Sequence, residues 1–508
     1  MSIIKINNIS KSYGNKTLFK NINLEINENE KIGIIGPNGS GKSTLIKILT
    51  NNESPDTGNI IIKKNKTLGY LKQATEYQDY KKESQNQKQF QKINKRLNLD
   101  TTKNFSNLSG GEKTKLLLSE ILSTSPDILI LDEPTNHLDL DAVDYIIERL
   151  NNYKGTVLVV SHDRYFLNKT VEKIIEIERE EVKVYQGNYE NYKYQKEKEL
   201  KTLKEKYTYE QKQDKKLQKE INKLRNWSEK GEREAGKQGG SPKDARASGA
   251  KDYHQSRAKK IARSLKNKKT RLENQRQDYI EKPFETKDIK FSFNNTNSPK
   301  KTLITIENLT KSYDRIVFKD VNLTINTNEK IGLIGPNGSG KTTLIKLLMN
   351  KEKIDSGNII KSKTLKPAYM SQDVFDLKED QTPIQIVNNY DSEKRQLFFS
   401  NLVNLGFDRE LFKSKIKNLS LGQRMKIKLV QIILNDYNLL VLDEPTNHLD
   451  MENKIELENA LIKFPGTIII ASHDKYLLEK VTNKVFVFEN QTIKRYEDSY
   501  KEYVERRK

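Results

Sequence analysis

The stretch GPNGSGKS at Gly36–Ser43 decides the fold. It follows a short apolar run, Lys31–Ile35, that is typical of a β-strand, and it precedes a run with helical periodicity. This is the expected context of the G-x-x-x-x-G-K-[ST] pattern, in which glycines let backbone N–H groups surround a phosphate at the N-terminus of a helix. The stretch therefore predicts an α/β fold with a phosphate-binding loop.

A second copy removes the alternative that a glycine-rich turn matches this pattern by chance. Lys11–Leu49 reappears as Lys311–Leu348, with GPNGSGKT at Gly335–Thr342. The copies lie 299 residues apart at the two loop lysines and 311 apart at the later LDEPTNHLD motifs, so the second copy holds 12 extra residues. A period of this length is typical of duplicated domains and not of a solenoid.

The segment between the two copies has a different composition. Residues 193–282 contain 28 Lys/Arg and 14 Asp/Glu, which is a net +14 out of +22 for the whole chain of 508 residues. Residues 189–226 predict one long helix, the glycine-rich stretch 231–249 predicts a break, and 255–279 predict a second helix. The predicted organisation is domain one at 1–192, a basic helical-hairpin linker at 193–299 with its tip at about 228–254, and domain two at 300–508.

Composition excludes several classes of protein. The chain has no cysteine, which rules out disulfide scaffolds, thiolate zinc sites and cysteine nucleophiles. The N-terminal stretch has no apolar signal core, and apolar runs fall short of the roughly 20 residues that span a bilayer. We therefore expect a cytoplasmic protein with a polyanionic partner, although a lysine-rich helix can also be only a solvated face.

The loop residues predict ATP and Mg²⁺ as ligands. Lys42 and Lys341 are expected to neutralise the β- and γ-phosphates, and Ser43 and Thr342 to ligate Mg²⁺.

Two apolar runs, ILILDE and LLVLDE, end in acidic pairs. Such runs favour strands buried on both faces, which place the acids at the ligand crevice. We expect Asp132 and Asp443 to hold Mg²⁺, and Glu133 and Glu444 to act as general bases for the attacking water. The alternative, that these acids are helix N-caps, is disfavoured by the strands that precede them.

Four of the five histidines lie in the repeated motifs. His162 and His473 follow strand-like runs and are candidates to contact the γ-phosphate or the attacking water. His137 and His448 lie in the NHLD turns, where a structural or interface role is expected.

The runs LSGGE at Leu108–Glu112 and LSLGQ at Leu419–Gln423 resemble the signature of ABC ATPases. The aromatic A-loop and the Q-loop of that family are matched by Tyr13, Tyr313, Gln73 and Gln372. The residues that the resemblance assigns to ATP are Tyr13, Gly36, Asn38, Gly39, Gly41, Lys42, Ser43, Thr44, Gln73, Ser109, Gly110, Gly111, Tyr313, Gly335, Asn337, Gly338, Gly340, Lys341, Thr342, Thr343, Gln372, Ser420 and Gly422. Those assigned to Mg²⁺ are Ser43, Gln73, Asp132, Thr342, Gln372 and Asp443.

The resemblance implies that two domains pair head to tail within one monomeric chain, with each ATP between one phosphate loop and the other signature. Site one would then join Gly36–Ser43 to Ser420–Gly422, and site two would join Gly335–Thr342 to Ser109–Gly111. Leu421 departs from the pattern because it replaces the first signature glycine. Its side chain either crowds the approach of the backbone to the γ-phosphate or is accommodated by a small shift. Because only one signature carries this leucine, the two sites are expected to hydrolyse ATP differently.

Two tandem domains with a charged helical linker resemble the ABC-F family. That resemblance implies binding to the E site of the bacterial 70S ribosome, with the linker near P-site tRNA and the 23S rRNA of the peptidyl-transferase centre. A basic hairpin suits such a partner because phosphate contacts supply most non-specific affinity. The predicted RNA-contacting residues at the tip are Trp227, Arg233, Lys237, Lys243, Arg246, Tyr253 and His254.

Within the family, the chain is similar to the subgroup that protects ribosomes from lincosamides, streptogramins A and pleuromutilins. The long linker, the short Gln73–Ser109 interval without an inserted arm, and the Lys/Asn/Ile-rich composition favour this subgroup. The alternative within the family is a housekeeping translation factor that acts on P-site tRNA. A non-enzymatic RNA-binding adaptor is a contrasting class, against which the intact acidic pairs argue.

Overall fold

The computed structural model describes residues 1–72, 86–99, 104–237, 259–270, 272, 301–371, 377–447 and 449–507. The chain divides into two compact units. The first unit comprises Met1–Tyr192 and Thr286–Lys508 and contains both repeated domains, and the second comprises Lys193–Glu285. Within the described ranges, no helix is both long enough and apolar enough to cross a membrane.

Domain one begins with long antiparallel strands and continues as alternating strands and helices. Its strands are β1 (Ser2–Tyr13), β2 (Lys16–Asn27), β3 (Lys31–Ile35), β4 (Thr57–Ile62), β5 (Leu68–Leu71), β6 (Ile128–Asp132), β7 (Thr156–Val160), β8 (Lys173–Glu178) and β9 (Glu181–Gln186). Its helices are α1 (Lys42–Leu49), α2 (Gln87–Arg96), α3 (Gly110–Thr124), α4 (Leu140–Asn151) and α5 (Arg164–Thr170).

A central sheet with the strand order β5-β6-β7-β3-β8-β9 carries the core of domain one. Neighbouring strands from β5 to β8 pair in parallel, and β9 pairs antiparallel to β8. Strand β6 shows why the sheet is buried on both faces. Its alternate residues Ile128 and Ile130 pack with the antiparallel sheet β2-β1-β4, whereas Leu129 and Leu131 pack with α3 and α4. The continuous apolar run thus reflects a sheet between two layers.

Domain two repeats this architecture, with the central strand order β14-β15-β16-β12-β17-β18 and a second antiparallel sheet β11-β10-β13. Its strands are β10 (Thr302–Ser312), β11 (Ile316–Asn326), β12 (Lys330–Ile334), β13 (Ser356–Lys361), β14 (Pro367–Met370), β15 (Leu439–Asp443), β16 (Thr467–Ala471), β17 (Lys484–Glu489) and β18 (Thr492–Tyr496). Its helices are α8 (Lys341–Leu348), α9 (Pro383–Ile386), α10 (Ser392–Asn404), α11 (Leu421–Leu434), α12 (Met451–Lys463), α13 (Lys475–Val481) and α14 (Tyr500–Arg507). The predicted α/β tandem fold is confirmed.

The 12 extra residues of domain two lie between Gln372 and the LSLGQ signature, an interval that contains α9 and α10. Helix α10 buries Phe398, whose ring makes edge contacts with Tyr390 and Phe399. Phe399 in turn contacts Phe412, so an aromatic cluster holds this helical layer against the core of domain two.

The linker helix α6 (Tyr189–Lys237) is longer than the sequence predicts, since the break predicted over 231–249 does not begin before Lys237. The rest of that stretch lies outside the described residues. A glycine in a helix interior costs about 1 kcal/mol relative to alanine. Gly231 and Gly236 flank a run of strong helix formers, Glu232–Ala235, which keeps the backbone helical to Lys237.

The second unit also contains a helix over residues 259–270, here α7, which lies inside the predicted second arm. Lys268 on α7 forms an ion pair with Glu220 on α6 at 2.5 Å. Ile221, Leu272 and Asp214 are buried, whereas most of the other described residues of this unit are exposed. These contacts describe a basic helical pair, as a hairpin requires.

Candidate ATP sites

Each phosphate loop has a backbone that demands glycine at its last turn. Gly41 precedes α1 with φ of 103°, and Gly340 precedes α8 with the same φ, a region that side chains rarely adopt. A Cβ on Gly41 would also lie 3.0 Å from the ring of Phe19. These glycines therefore let the two loops pack closely against β2 and β11, with each loop leading directly into the N-terminus of a helix.

The two loop lysines are held by the loops themselves. The Nζ of Lys42 donates to the carbonyl oxygens of Gly36 and Pro37 at 2.8 and 3.0 Å. Lys341 makes the equivalent contacts at 2.8 and 3.1 Å. Burial lowers the pKa of both lysines, and the charges of the nearby carboxylates oppose this effect.

The acidic pairs lie at the carboxyl ends of β6 and β15. Asp132 and Asp443 are buried as the last residues of these strands, and the Oγ1 of Thr342 lies 3.3 Å from an oxygen of Asp443. Hydroxyl and carboxylate oxygens are the ligands that Mg²⁺ prefers, so this donor set fits the ion. The acids are thus strand-end residues, and the alternative of helix N-caps is wrong.

Glu133 and Glu444 adopt a strained backbone conformation. Their φ angles are 50° and 47°, in the left-handed region that costs a residue with a side chain roughly 1–2 kcal/mol. The N–H of Glu133 donates to the carbonyl of Val160 at 2.8 Å, and Glu444 makes the matching bond to Ala471. Strain of this kind, held by the neighbouring strand, is typical of functional sites.

Burial sets the protonation of these groups. Burial, followed by the nearby Asp132 charge, raises the pKa of Glu133 to about 7, and burial raises the pKa of Glu444 to about 8. Burial also lowers the pKa of His162, and lowers that of His473 to about 3, so both imidazoles are neutral at pH 7. A carboxylate with a pKa near the working pH is suited to accept a proton from water.

Each histidine lies beside the glutamate of its own domain. The Nε2 of His162 is 3.7 Å from Glu133 Oε1, and that of His473 is 3.5 Å from Glu444 Oε1. The backbone N–H of each histidine donates to the other oxygen of the same carboxylate, at 3.4 and 3.3 Å. The structure therefore places the candidate base and the candidate histidine of each domain next to each other.

A cavity of about 590 Å³ at site one is lined by both domains. Domain one contributes Tyr13, Lys16, Leu18, Asn38, Gly39, Gly41, Lys42, Ser43, Thr44, Asp132, Glu133, Asn136, Val160 and His162. Domain two contributes Leu421, Leu449 and Lys454. The cavity volume falls within the range of small-molecule sites. Because domain two supplies part of the lining, separation of the domains would open the cavity on that side.

At site two, the signature of domain one lies against the phosphate loop of domain two. A Cβ on Gly111 would meet the His137 carbonyl at 2.5 Å and the Asn337 amide nitrogen at 3.2 Å. Asn337 donates to the His137 carbonyl at 2.8 Å, and its Oδ1 lies 3.0 Å from the Nε2 of His473. Asn337 thereby joins its own domain's histidine to the turn of the other domain.

Both signature serines cap helices. Ser109 and Ser420 accept hydrogen bonds at the starts of α3 and α11 in capping boxes with Glu112 and Gln423.

Leu421 occupies the first helical position of α11 and is half-buried. At the equivalent Gly110, an added Cβ would meet only two ring carbons of His137, at 3.6 and 3.8 Å, which is ordinary contact. The backbone at this position therefore accepts a side chain, and Leu421 places an apolar group in the wall of site one.

The sites are expected to respond unequally to removal of their bases. Glu133→Gln and Glu444→Gln, as single variants, should differ by at least about threefold in single-turnover ATP hydrolysis. Leu421→Gly should reduce this difference, because it restores the glycine of the other signature. Rapid-quench measurement of both variants checks this, and identical rates would contradict the asymmetry.

The two A-loop tyrosines are half-exposed, at 51% for Tyr13 and 54% for Tyr313. Lys11 and Lys311 lie 5.3 and 5.0 Å from the centres of these rings. An exposed ring beside the loop leaves an aromatic surface for a base to stack on.

Several residues predicted from the sequence lie outside the part of the chain that the structure describes. They are Gln73, Gln372, His448, Lys243, Arg246, Tyr253 and His254. Arg233 and Lys237 belong to the last turns of α6. Trp227 lies on the same helix, and its side chain is 62% exposed.

Sequence reasoning missed a second cation beside each loop. Lys16 donates to the Gly39 carbonyl at 3.3 Å, and Arg315 donates to the Gly338 carbonyl at 3.4 Å. The two residues occupy equivalent positions in the repeat. A basic residue at the same position of both copies is therefore a sequence feature that could have identified this contact.

The fold and the paired sites define an ABC ATPase with two nucleotide-binding domains on one chain. The family described as ABC transporter matches residues 19–136 and 318–447, and a further model of that description matches 175–239. An archaeal ribosome recycling factor, solved in complex with the ribosomal stalk protein, has the same fold at a TM-score of 0.66 and 20% identity, covering 98% of this chain and 92% of that one.

Sequence relatives narrow the family. A ribosome protection protein of Bacillus subtilis, VmlR, is 36% identical over 97% of this chain and 88% of its own length. The ABC transporter F family member 5 of Arabidopsis thaliana is 30% identical over 99% of this chain and 77% of its own. The chain belongs to the ABC-F family of ATPases, which confirms the family and the enzyme class predicted from its motifs.

Proposed function

We propose that this ATPase binds the E site of the bacterial 70S ribosome in its ATP-closed state and displaces antibiotics from the peptidyl-transferase centre, which confers resistance. The observation that carries the proposal is the basic second unit, with its net +14 over residues 193–282. The similarity to a ribosome protection protein supports the same function.

The described helices of this unit suit a nucleic-acid partner. Residues 259–270 include six Lys/Arg and no acidic residue. Lys260, Arg263 and Lys268 line a groove of about 410 Å³ on α7, together with the polar Ser264 and Asn267. Each neutralised phosphate releases condensed counterions, so such a surface binds RNA with a strong salt dependence.

We propose that the tip contacts 23S rRNA and P-site tRNA. Exposed Trp227 is suited to stacking on an unpaired base, and the predicted tip residues that follow it in the sequence would supply further basic and aromatic groups.

At the ATP sites, we propose that the predicted residues hold ATP, with Mg²⁺ on Ser43 and Asp132 and on Thr342 and Asp443. Bound Mg²⁺ would neutralise charge on the β- and γ-phosphates. Glu133 and Glu444 accept the proton of the attacking water, while the loop lysines orient the phosphates. We further propose that the chain acts in the cytoplasm as a monomer.

Expression in a susceptible bacterium tests the function. The minimum inhibitory concentration of lincosamides, streptogramins A or pleuromutilins should rise several-fold, while that of a drug acting outside the ribosome stays unchanged. The variant Lys260→Gln/Arg263→Gln/Lys266→Gln should lose this protection, because it removes phosphate contacts, yet retain ATP hydrolysis. No rise for any drug at the peptidyl-transferase centre would favour the alternative of a housekeeping translation factor.

A further inference from the structure

One lysine of domain two enters ATP site one from across the domain interface. Lys454 lies on α12, is 9% exposed, and lines the cavity together with Lys42, Glu133 and His162. Its Nζ donates to the backbone carbonyl of His162 at 3.1 Å. A buried ammonium needs such a partner, because an unpaired one is costly.

The second contact of Lys454 is longer. An oxygen of Asp474 lies 3.7 Å from the ammonium, and the other oxygen of that carboxylate caps α13 through the N–H of Leu477. The hydrogen bond to His162 is thus the closer contact, and it is formed between domains.

The repeat shows that this contact belongs to one site only. Aligning LDLDAVDY of domain one with LDMENKIE of domain two places Val143 opposite Lys454. Val143 is buried in the apolar cluster of domain one and has no donor group. The position that delivers a cation to site one therefore delivers none to site two.

We propose that Lys454 is a positioning residue of ATP site one, which holds the His162 segment against Glu133 when the two domains are closed. The His162 N–H donates to the Glu133 carboxylate, so fixing the carbonyl of the same residue restrains both groups. Domain opening withdraws the ammonium, and the segment loses this restraint. Site one thereby senses closure through a lysine whose aligned position at site two is Val143. This inference rests on the ATPase activity alone and not on the proposed ribosomal role.

Lys454→Met tests the proposal because methionine keeps an unbranched apolar stem like that of lysine but has no ammonium group. In a Glu444→Gln background, single-turnover hydrolysis at site one should fall at least about tenfold, with the KM for ATP changed less than about threefold. In a Glu133→Gln background, which reports site two, the same substitution should change the rate less than about twofold. Lys454→Arg should restore most of the loss, since it keeps a long cationic donor.

Lys463→Met is the matched control, because this lysine is exposed at the end of the same helix. Thermal unfolding of each variant identifies a folding defect. If Lys454→Met does not fold, Lys454→Gln takes its place with the same expected loss, because its shorter amide does not reach the carbonyl. Equal losses at both sites, a loss confined to KM, or no loss at site one would each overturn the proposal.

Discussion

The double variant Glu133→Gln/Glu444→Gln is expected to lose ATP hydrolysis by at least about 100-fold, the lower end of what general-base catalysis contributes. Glutamine keeps the shape of the side chain and cannot accept the proton of water. Because the substitution leaves both phosphate loops unchanged, ATP binding should persist. Phosphate release under saturating ATP measures the loss, and filter binding of labelled ATP measures retention.

The matched control replaces two exposed glutamates, Glu181→Gln/Glu393→Gln, one in each domain. It should hydrolyse ATP at the unaltered rate. If the Glu133→Gln/Glu444→Gln variant instead kept more than about a tenth of that rate, neither glutamate would be the base.

The parts of the molecule that sequence predicts well are those whose residues are contiguous. The phosphate loops, the buried strand β6 and the following acids each lie within eight residues or fewer, so local spacing fixes their geometry. The α/β tandem fold and the ATPase class were predicted from these stretches and are confirmed. The assignments of individual residues to ATP and Mg²⁺ stay predictions.

The sequence predicts helix ends less well where the low helix propensity of one residue is offset by the high helix propensity of its neighbours. The glycine-rich stretch 231–249 predicts that α6 ends near Gly231, but the helix-favouring residues Glu232–Ala235 continue the helix to Lys237. A propensity argument applied to single residues misses this sum, because helix formation is cooperative.

Contacts between the domains were the least predictable part. Lys454 and His162 are 292 positions apart in the chain. Nothing in the local spacing of either residue indicates the other. Only comparison of the two repeats carries a signal, through a charge that one copy has and the other lacks.

The domain interface also contains a buried ion pair. The guanidinium of Arg164 on α5 contacts the carboxylate of Glu458 on α12, and their side chains are 3% and 1% exposed. Glu458 also pairs with Lys480 at 2.7 Å, and the Arg164 guanidinium lies 4.9 Å from the centre of the Tyr476 ring. Without Arg164, Glu458 keeps only Lys480 as a partner, so the buried carboxylate is less fully compensated, at a cost of about 3 kcal/mol, the lower end for a broken buried pair.

Arg164→Met is therefore expected to destabilise the closed arrangement of the domains. Because opening rehydrates Glu458, the cost falls on the closed form, and about 3 kcal/mol lowers its population relative to the open form by roughly 100-fold. Closure is measured by the energy transfer between a donor dye on one domain and an acceptor dye on the other. The labelled protein carries Glu133→Gln/Glu444→Gln and is titrated with ATP. Removing both charges, in Arg164→Met/Glu458→Gln, should recover much of the loss, since no buried carboxylate that lacks its arginine remains and the half-exposed Lys480 is solvated.

Two controls separate the buried pair from general charge effects. Arg179→Met removes an exposed arginine of domain one and should not change closure. Asp144→Asn breaks the related contact with Lys475, where the Asp144 side chain is 50% exposed, and should cost no more than about 1 kcal/mol. If Arg164→Met and Asp144→Asn weakened closure equally, burial would not be what makes the Arg164 pair strong. The ion pair would then act as a surface contact, and closure would depend on the ATP sites themselves.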